Sequence, residues 1–244
     1  MTANSQGRLD LSVKPSIAVK LCGLQSWQDV QTTWQLGAEY MGFVLAPSRR
    51  QVTTQSVSEW IKRAQTLRYS LPEDYPLLPN PVLVLVDASL EQTLAWSKET
   101  GVRHVQLCGD ESPELCSQLR TEHGLTVWKA WGVRGTEEDQ GVQAFAGHVD
   151  GLLLDRYAKT VRGGTGGTGE RFGWDRLTSF RDWLPTTPLT IAGGLTSQTV
   201  RELLSSYHVE AVDVSSGIET AGVKDAVKMS QFVKTVRSMN HVSR

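Results

Sequence analysis

No stretch of this chain approaches the roughly 18 consecutive apolar residues that a membrane-crossing helix requires. The opening MTANSQGRLDLSVKPS has no apolar centre of the kind a secretory leader carries. Residues 1–14 therefore read as a polar, flexible arm ahead of one domain spanning residues 15–244. An imbalance of charge is missing too: 25 Lys and Arg against 26 Asp and Glu leave a net charge of −1. That supplies neither the basic footprint of a nucleic-acid binder nor a handle for an anionic bilayer, so neither partner is expected. Cysteine is scarce. Cys22, Cys108 and Cys116 form an odd set of three without ligand-type spacing, which argues for a reducing, cytoplasmic setting and against a disulfide framework. The five histidines are scattered: His104 opens an apolar run, and His123, His148, His208 and His241 fall in loop or helix-like stretches. Without H-E-x-x-H or a comparable ligand set, metal-dependent and Cys–His hydrolase chemistry has little support.

Repetition is what the chain has in abundance. Short apolar runs recur as IAVKLCG, YMGFVLA, PVLVLVDA, HVQLCG, TVWKAWGV, GLLLDRY, LTIAGGL and AVDVSSGIE. Between them lie segments such as SWQDVQTTWQLG, SVSEWIKRAQTL and TSQTVRELLSSYH, with helical spacing of apolar residues. Eight such units of about 30 residues match a (β/α)8 barrel; a doubly wound open sheet usually has five or six strands. The Pro-rich piece RYSLPEDYPLLPNP interrupts the pattern between the second helix and third strand, and reads as a surface loop.

Within these runs, polar or reactive residues occupy alternate positions: Lys20 and Cys22, Gln106 and Cys108, Lys129 and Trp131, Asp155, then Asp213 and Ser215. The intervening Val105, Leu107, Leu152, Leu154, Val212 and Val214 are apolar. In a closed barrel the apolar set must face the helices, so the polar set is expected to point inward. Ionisable groups there are costly unless they pair or sit at the wet mouth. Cys22 and Asp155 end their strands, where barrel active sites are built.

Glycine clusters gather after the last three runs. Gly164, Gly166 and Gly169 in RGGTGGTGERFGW satisfy G-x-G-x-x-G. A dinucleotide fingerprint would follow its strand directly and precede an acidic residue about 20 positions on; Asp155 ends the strand well upstream, and the later position is Leu189. The bland alternative is a flexible loop. Together with AGGL and SSGIE at the same rim, the cluster points instead to backbone amides closing around a phosphate.

VKLCGL, GFVLAPSRRQV, VQLCGDE, LLLDR with GGTGERFGW, IAGGL and VDVSSGIE with GVKD together resemble the phosphoribosylanthranilate isomerase family of tryptophan biosynthesis. The likeness runs from about Ile17 to the final helix, in the family's order. It implies a (β/α)8 barrel that catalyses an Amadori rearrangement of a phosphorylated small molecule without cofactor. It implies Cys22 as general base, Asp155 as general acid, and an arginine just after the second strand as the partner of the anthranilate carboxylate; a slip of one in register would make this Arg49, and Arg50 is preferred because it stands two residues before Val52. Lys20 and Asp213 are expected to support the substrate site. The phosphate is expected on Gly167, Thr168, Gly193, Gly194, Ser216 and Gly217, the second GGTG copy being the better match. Two positions depart from the family pattern: Glu170 stands where a lysine is usual, and Cys108 where a histidine is common.

The chemistry sets its own demands. A thiol near 8.5 is mostly protonated at neutral pH, and Lys20, two residues away on the same face, is expected to lower it and supply thiolate. A carboxyl near 3.9 is a poor donor, so burial or a second carboxylate, for which Asp213 is the candidate, must raise Asp155. Taken alone, a strand-end cysteine is most often a small buried hydrophobe. Asp155 alone could be a structural cap and Arg50 a solvated loop residue. Trp131 is a candidate for the aromatic end of the pocket, and Lys129 for pairing with a barrel carboxylate. Two rival functions remain: the sister isomerase of histidine biosynthesis, which would be expected to use an aspartate in place of Cys22, and a non-catalytic phosphate-binding barrel.

Overall fold

Alternating apolar runs and amphipathic segments leave parallel strands only one economical arrangement, in which crossover helices cover one face of a sheet. A computed structural model describes residues 16–157 and 171–242. In it the runs become β1 (Ala18–Cys22), β2 (Tyr40–Val44), β3 (Asn80–Leu85), β4 (His104–Leu107), β5 (Thr126–Val133), β6 (Gly151–Arg156), β7 (Leu189–Ile191) and β8 (Ala211–Val214). Each strand pairs with the next, and β8 returns to β1 with Asp213 opposite Lys20. The chain is a (β/α)8 barrel, and closure leaves that eight-stranded sheet without an open edge.

Outside the barrel lie α1 (Trp27–Gln35), α2 (Thr54–Arg68), α3 (Leu90–Thr100), α4 (Pro113–Thr121), α5 (Leu177–Trp183), α6 (Ser197–Ser206) and α7 (Ala226–Val242). Ser26, Thr53, Ser89, Ser112 and Thr196 cap five of them, each accepting a hydrogen bond from the N–H three residues on. Such caps contribute about 1 kcal/mol each, and they fix where the loops at the barrel mouth end. The fifth crossover is a 3-10 coil, Glu137–Phe145, with Gly141 in its middle lowering helix propensity. The Pro-rich connection, residues 69–79, runs from α2 to β3. It is tied down where the Trp34 indole donates to the Pro76 carbonyl at 2.8 Å and meets Tyr75 edge-on. Among the described residues, no helix is long and apolar enough to cross a membrane.

The strand parity follows the sequence at β1, β4, β6 and β8. Leu21, Val105, Leu107, Leu152, Leu154, Val212 and Val214 pack outward under the helices. Cys22, Val84, Cys108, Ala130, Leu153 and Ala192 form a separate cluster inside the barrel. At β5 the expected parity is wrong. Lys129 pairs with Leu107 and Leu152, and Trp131 with Leu154, so both point outward. The run TVWKAWGV places bulky residues on both faces, and alternation alone cannot assign it. Lys129 is tolerated under the helices because its ammonium donates to the carbonyls of Leu107, Gly109 and Ala130 at 2.7–3.2 Å and meets the Glu111 carboxylate at 3.2 Å. Trp131 packs against Phe145, with ring centroids 6.1 Å apart, and takes no part in the barrel mouth.

Candidate active site

Cys22 ends β1 and is followed by Gly23 in the left-handed region, φ +73°. Its thiol points into the barrel beside β2, where Gly42 stands opposite. A Cβ at Gly42 would lie 2.7 Å from the Cys22 sulfur and 3.1 Å from Lys20 Nζ, so the glycine makes space for both groups. Lys20 is fully buried; its ammonium donates to Asp213 Oδ1 at 2.8 Å and reaches the Cys22 thiol. Asp155 is the penultimate residue of β6, in the same inward set as Leu153, and its Oδ1 accepts from the Arg156 N–H at 2.7 Å. The barrel thus brings Lys20, Cys22, Asp155 and Asp213 together on one inner surface, with the Asp213 charge felt by both Cys22 and Asp155.

Burial dominates the electrostatics. It pushes the Asp155 carboxyl up to about 7, aided by Asp213 and opposed by the Arg156 N–H. A carboxyl there holds a proton at neutral pH and can release it. Burial also pulls the Lys20 ammonium down, but Asp213 and Cys22 more than reverse that and hold it charged. The Cys22 thiol moves upward from its ordinary value, against the expectation that Lys20 would lower it. Burial disfavours the thiolate and the neighbouring Asp213 adds to the penalty, so the pull of the lysine is outweighed. Cys108, where the family commonly has histidine, is a buried thiol pushed up to about 12, with Gln106 Nε2 donating to its sulfur at 3.2 Å. It keeps its proton near neutral pH and offers no base there.

Arg50 follows β2, and its stem lies across the end of β1: a Cβ on Gly23 would meet Arg50 Cδ at 2.6 Å. Its Nε donates to Glu219 Oε1 at 2.6 Å and its Nη2 to Oε2 at 3.2 Å. Glu219 also pairs with Arg49 and, at 2.9 Å, with Lys224. Burial raises the Glu219 carboxyl, yet hydrogen bonds from these three cations outweigh it and hold the group at about 2. Lys224 in turn donates to the Ser215 carbonyl and hydroxyl, and that hydroxyl donates to the Cys22 carbonyl at 3.1 Å. Glu219 and Lys224 are functional-site residues that the sequence reading missed. A signal was present: ETAGVK is a two-residue hairpin, with Ala221 at φ +50° and Gly222 at φ +83° as an Asn-Gly-type turn requires, which sets Lys224 directly across from Glu219.

The loops after β7 and β8 meet at the same rim. Gly193 and Gly194 have φ of +79° and +63°. Gly217, in the 3-10 turn Ser216–Ile218, lies so close to the β7 loop that a Cβ would sit 1.8 Å from the Leu195 carbonyl oxygen. Among the described residues, the N–H groups of Gly193, Gly194, Ser216 and Gly217 donate to no acceptor, leaving them available to an anion. Gly167 and Thr168, and the departing Glu170, lie outside the described residues.

Comparison with known proteins agrees with this geometry. A family model for N-(5′-phosphoribosyl)anthranilate isomerase matches residues 19–235. The N-(5′-phosphoribosyl)anthranilate isomerase of Brevibacillus brevis is 33% identical over 93% of this chain and 98% of its own length. The phosphoribosyl anthranilate isomerase of Thermus thermophilus superposes with a TM-score of 0.72 at 27% identity, over 91% of this chain and all of that one (100%). A phosphoribosyl anthranilate isomerase solved with reduced 1-(o-carboxyphenylamino)-1-deoxyribulose 5-phosphate gives 0.69 at 27% identity, over 91% and 99%. A family model that runs from within β1 into α7, together with a relative 33% identical along nearly its whole length, shows that the chain belongs to the N-(5′-phosphoribosyl)anthranilate isomerase family.

Proposed function

We infer that this chain converts N-(5′-phosphoribosyl)anthranilate into 1-(2-carboxyphenylamino)-1-deoxyribulose 5-phosphate, an Amadori rearrangement of tryptophan biosynthesis. The observation that carries the mechanism is the placement of Asp155, a carboxyl that burial pushes up to about 7, on the same inner surface as the Cys22 thiol. Asp155 protonates the furanose oxygen as the C1′–O bond breaks and the anthranilate nitrogen forms an iminium. Cys22, as thiolate, then removes the proton from C2′; the electron pair forms C1′=C2′, and the nitrogen recovers its lone pair. Tautomerisation of the enol gives the ketone. Each proton transfer contributes roughly 10²–10⁴-fold.

Arg50 holds the anthranilate carboxylate, a geometry its forked donors suit. The phosphate rests on the free amides of Gly193, Gly194, Ser216 and Gly217, completed by Gly167 and Thr168. Lys20 acts from beneath the site, holding Asp213 and biasing the thiol. The three cysteines are free and buried, in keeping with a reducing, cytoplasmic setting.

The direct test is turnover by the purified protein, with the histidine-pathway aminoaldose as the second substrate. Conversion of the anthranilate compound alone is the expected result; preference for the other, or none by a folded protein, sinks the reading. The pH profile carries a second expectation. Asp155 must be protonated and Cys22 ionised, yet the acid titrates near 7 and the thiol above its ordinary 9.0, so only a minor fraction of molecules carries both forms. kcat/KM is expected to rise to about pH 7, level off, and fall only above the ordinary thiol range. A profile without a break near 7 would remove Asp155 as the acid.

A further inference from the structure

The reading of Arg50 as the carboxylate partner raises a question, because that guanidinium already carries a carboxylate. Glu219 occupies its side-on edge, with Oε1 on Nε and Oε2 on Nη2. Among the described residues, Nη1 of Arg50 donates to no acceptor. A guanidinium presents two such edges, each matched to one carboxylate. We propose that Glu219 is the positioning residue for Arg50: it fills the side-on edge and leaves the end-on edge for the carboxylate of the substrate.

Displacement of Glu219 by substrate is the competing arrangement, and the surroundings disfavour it. Its side chain is 5% exposed and shared by Arg49, Arg50 and Lys224. Freeing it would strand a buried charge. Three cations around one carboxylate leave an excess of two positive charges at this corner, which a second carboxylate partly neutralises. The stem of Arg50 is confined as well, since it runs over Gly23 where any side chain would obstruct it. Glu219 thus fixes the head of the arginine and Gly23 admits its stem.

The proposal rests on the assignment of Arg50, so the experiment separates the two. Steady-state rates are measured with N-(5′-phosphoribosyl)anthranilate and with the carboxylate-free phosphoribosyl aniline, for the parent, Arg50→Met, Glu219→Gln and the double variant, each checked by thermal melting. Arg50→Met should reduce the preference for the carboxylate-bearing substrate by about 100-fold, the scale of a charged hydrogen-bonded pair. Glu219→Gln should reduce that preference by about tenfold, through KM and with kcat nearly unchanged, and should add nothing once Arg50 is gone. If Arg50→Met leaves the preference intact, the assignment of Arg50 fails, and the proposal with it. If Arg50→Met behaves as expected, a fall in KM for Glu219→Gln, an equal loss on both substrates, or additivity in the double variant overturns the proposal alone. Should Glu219→Gln fail to fold, Glu219→Asp, which keeps the charge one methylene further back, should lose a smaller part of the same preference; equal losses on both substrates would again overturn it.

Discussion

Replacing Asp155 by asparagine is expected to lower kcat/KM for N-(5′-phosphoribosyl)anthranilate by about 10²–10⁴-fold, the contribution of a well-placed general acid, while making the protein more stable at neutral pH. The two effects share one cause. Burial lifts this carboxyl from an ordinary 3.8 to about 7, so between those values the folded protein binds a proton that the unfolded chain has released. Stability therefore falls as pH rises through that window and stays reduced above it. Asparagine carries no such penalty. Denaturant unfolding at pH 4 and pH 8 should show the variant gaining on the parent at the higher value, by up to a few kcal/mol. A residue selected for packing would do the opposite. Cys22→Ala should cost activity on the same scale, and the double variant little more, since the two groups serve one proton itinerary. An alanine variant with near-parent turnover would strip Cys22 of its role.

Replacing Lys20 by methionine should cost about 3–5 kcal/mol, because it leaves Asp213 buried without its counter-charge. The pair is closed at 2.8 Å, with the lysine inaccessible to water and the aspartate nearly so. Against a total stability of about 5–15 kcal/mol, that removes between about a fifth and all of it. Lys20→Met combined with Asp213→Leu should recover most of the loss, since a matched apolar pair in the interior is often neutral or better. Its activity should stay low, because the thiol would have lost the cation that opposes burial. Chemical denaturation of the three variants measures this. A loss below 1 kcal/mol for the single change would mean that water reaches the pair.

The barrel was legible in the sequence because repetition is a global signal: eight runs and their spacing survive errors in any one of them. Parity was legible where a strand has one greasy side, as at Leu152 and Leu154 beside Asp155. It failed at TVWKAWGV, where Lys129 finds its partners in backbone carbonyls and Glu111 of the neighbouring loop, which no alternation encodes. The direction of the Cys22 shift was misjudged for a related reason. Sequence places Lys20 next to the thiol and Asp213 on the inward set, but does not pair the two; Asp213 engages that ammonium and pushes the sulfur the other way. Glu219 escaped notice because its main client, Arg50, lies 169 positions earlier. The hairpin that holds Lys224 against it was written plainly in six residues.

The buried ion pair also joins the first strand to the last, across 193 positions of chain. During synthesis, a lysine destined for the interior emerges 193 residues ahead of its neutralising partner. Until then β1 carries a cation that is expensive to take out of water, so the amino-terminal strands have a built-in reason not to seal prematurely. Such long-range closure is slow, and its moment coincides with the assembly of the acidic cluster around the sulfur. The strand that completes the cylinder is thus also the one that delivers the counter-charge to the reactive centre.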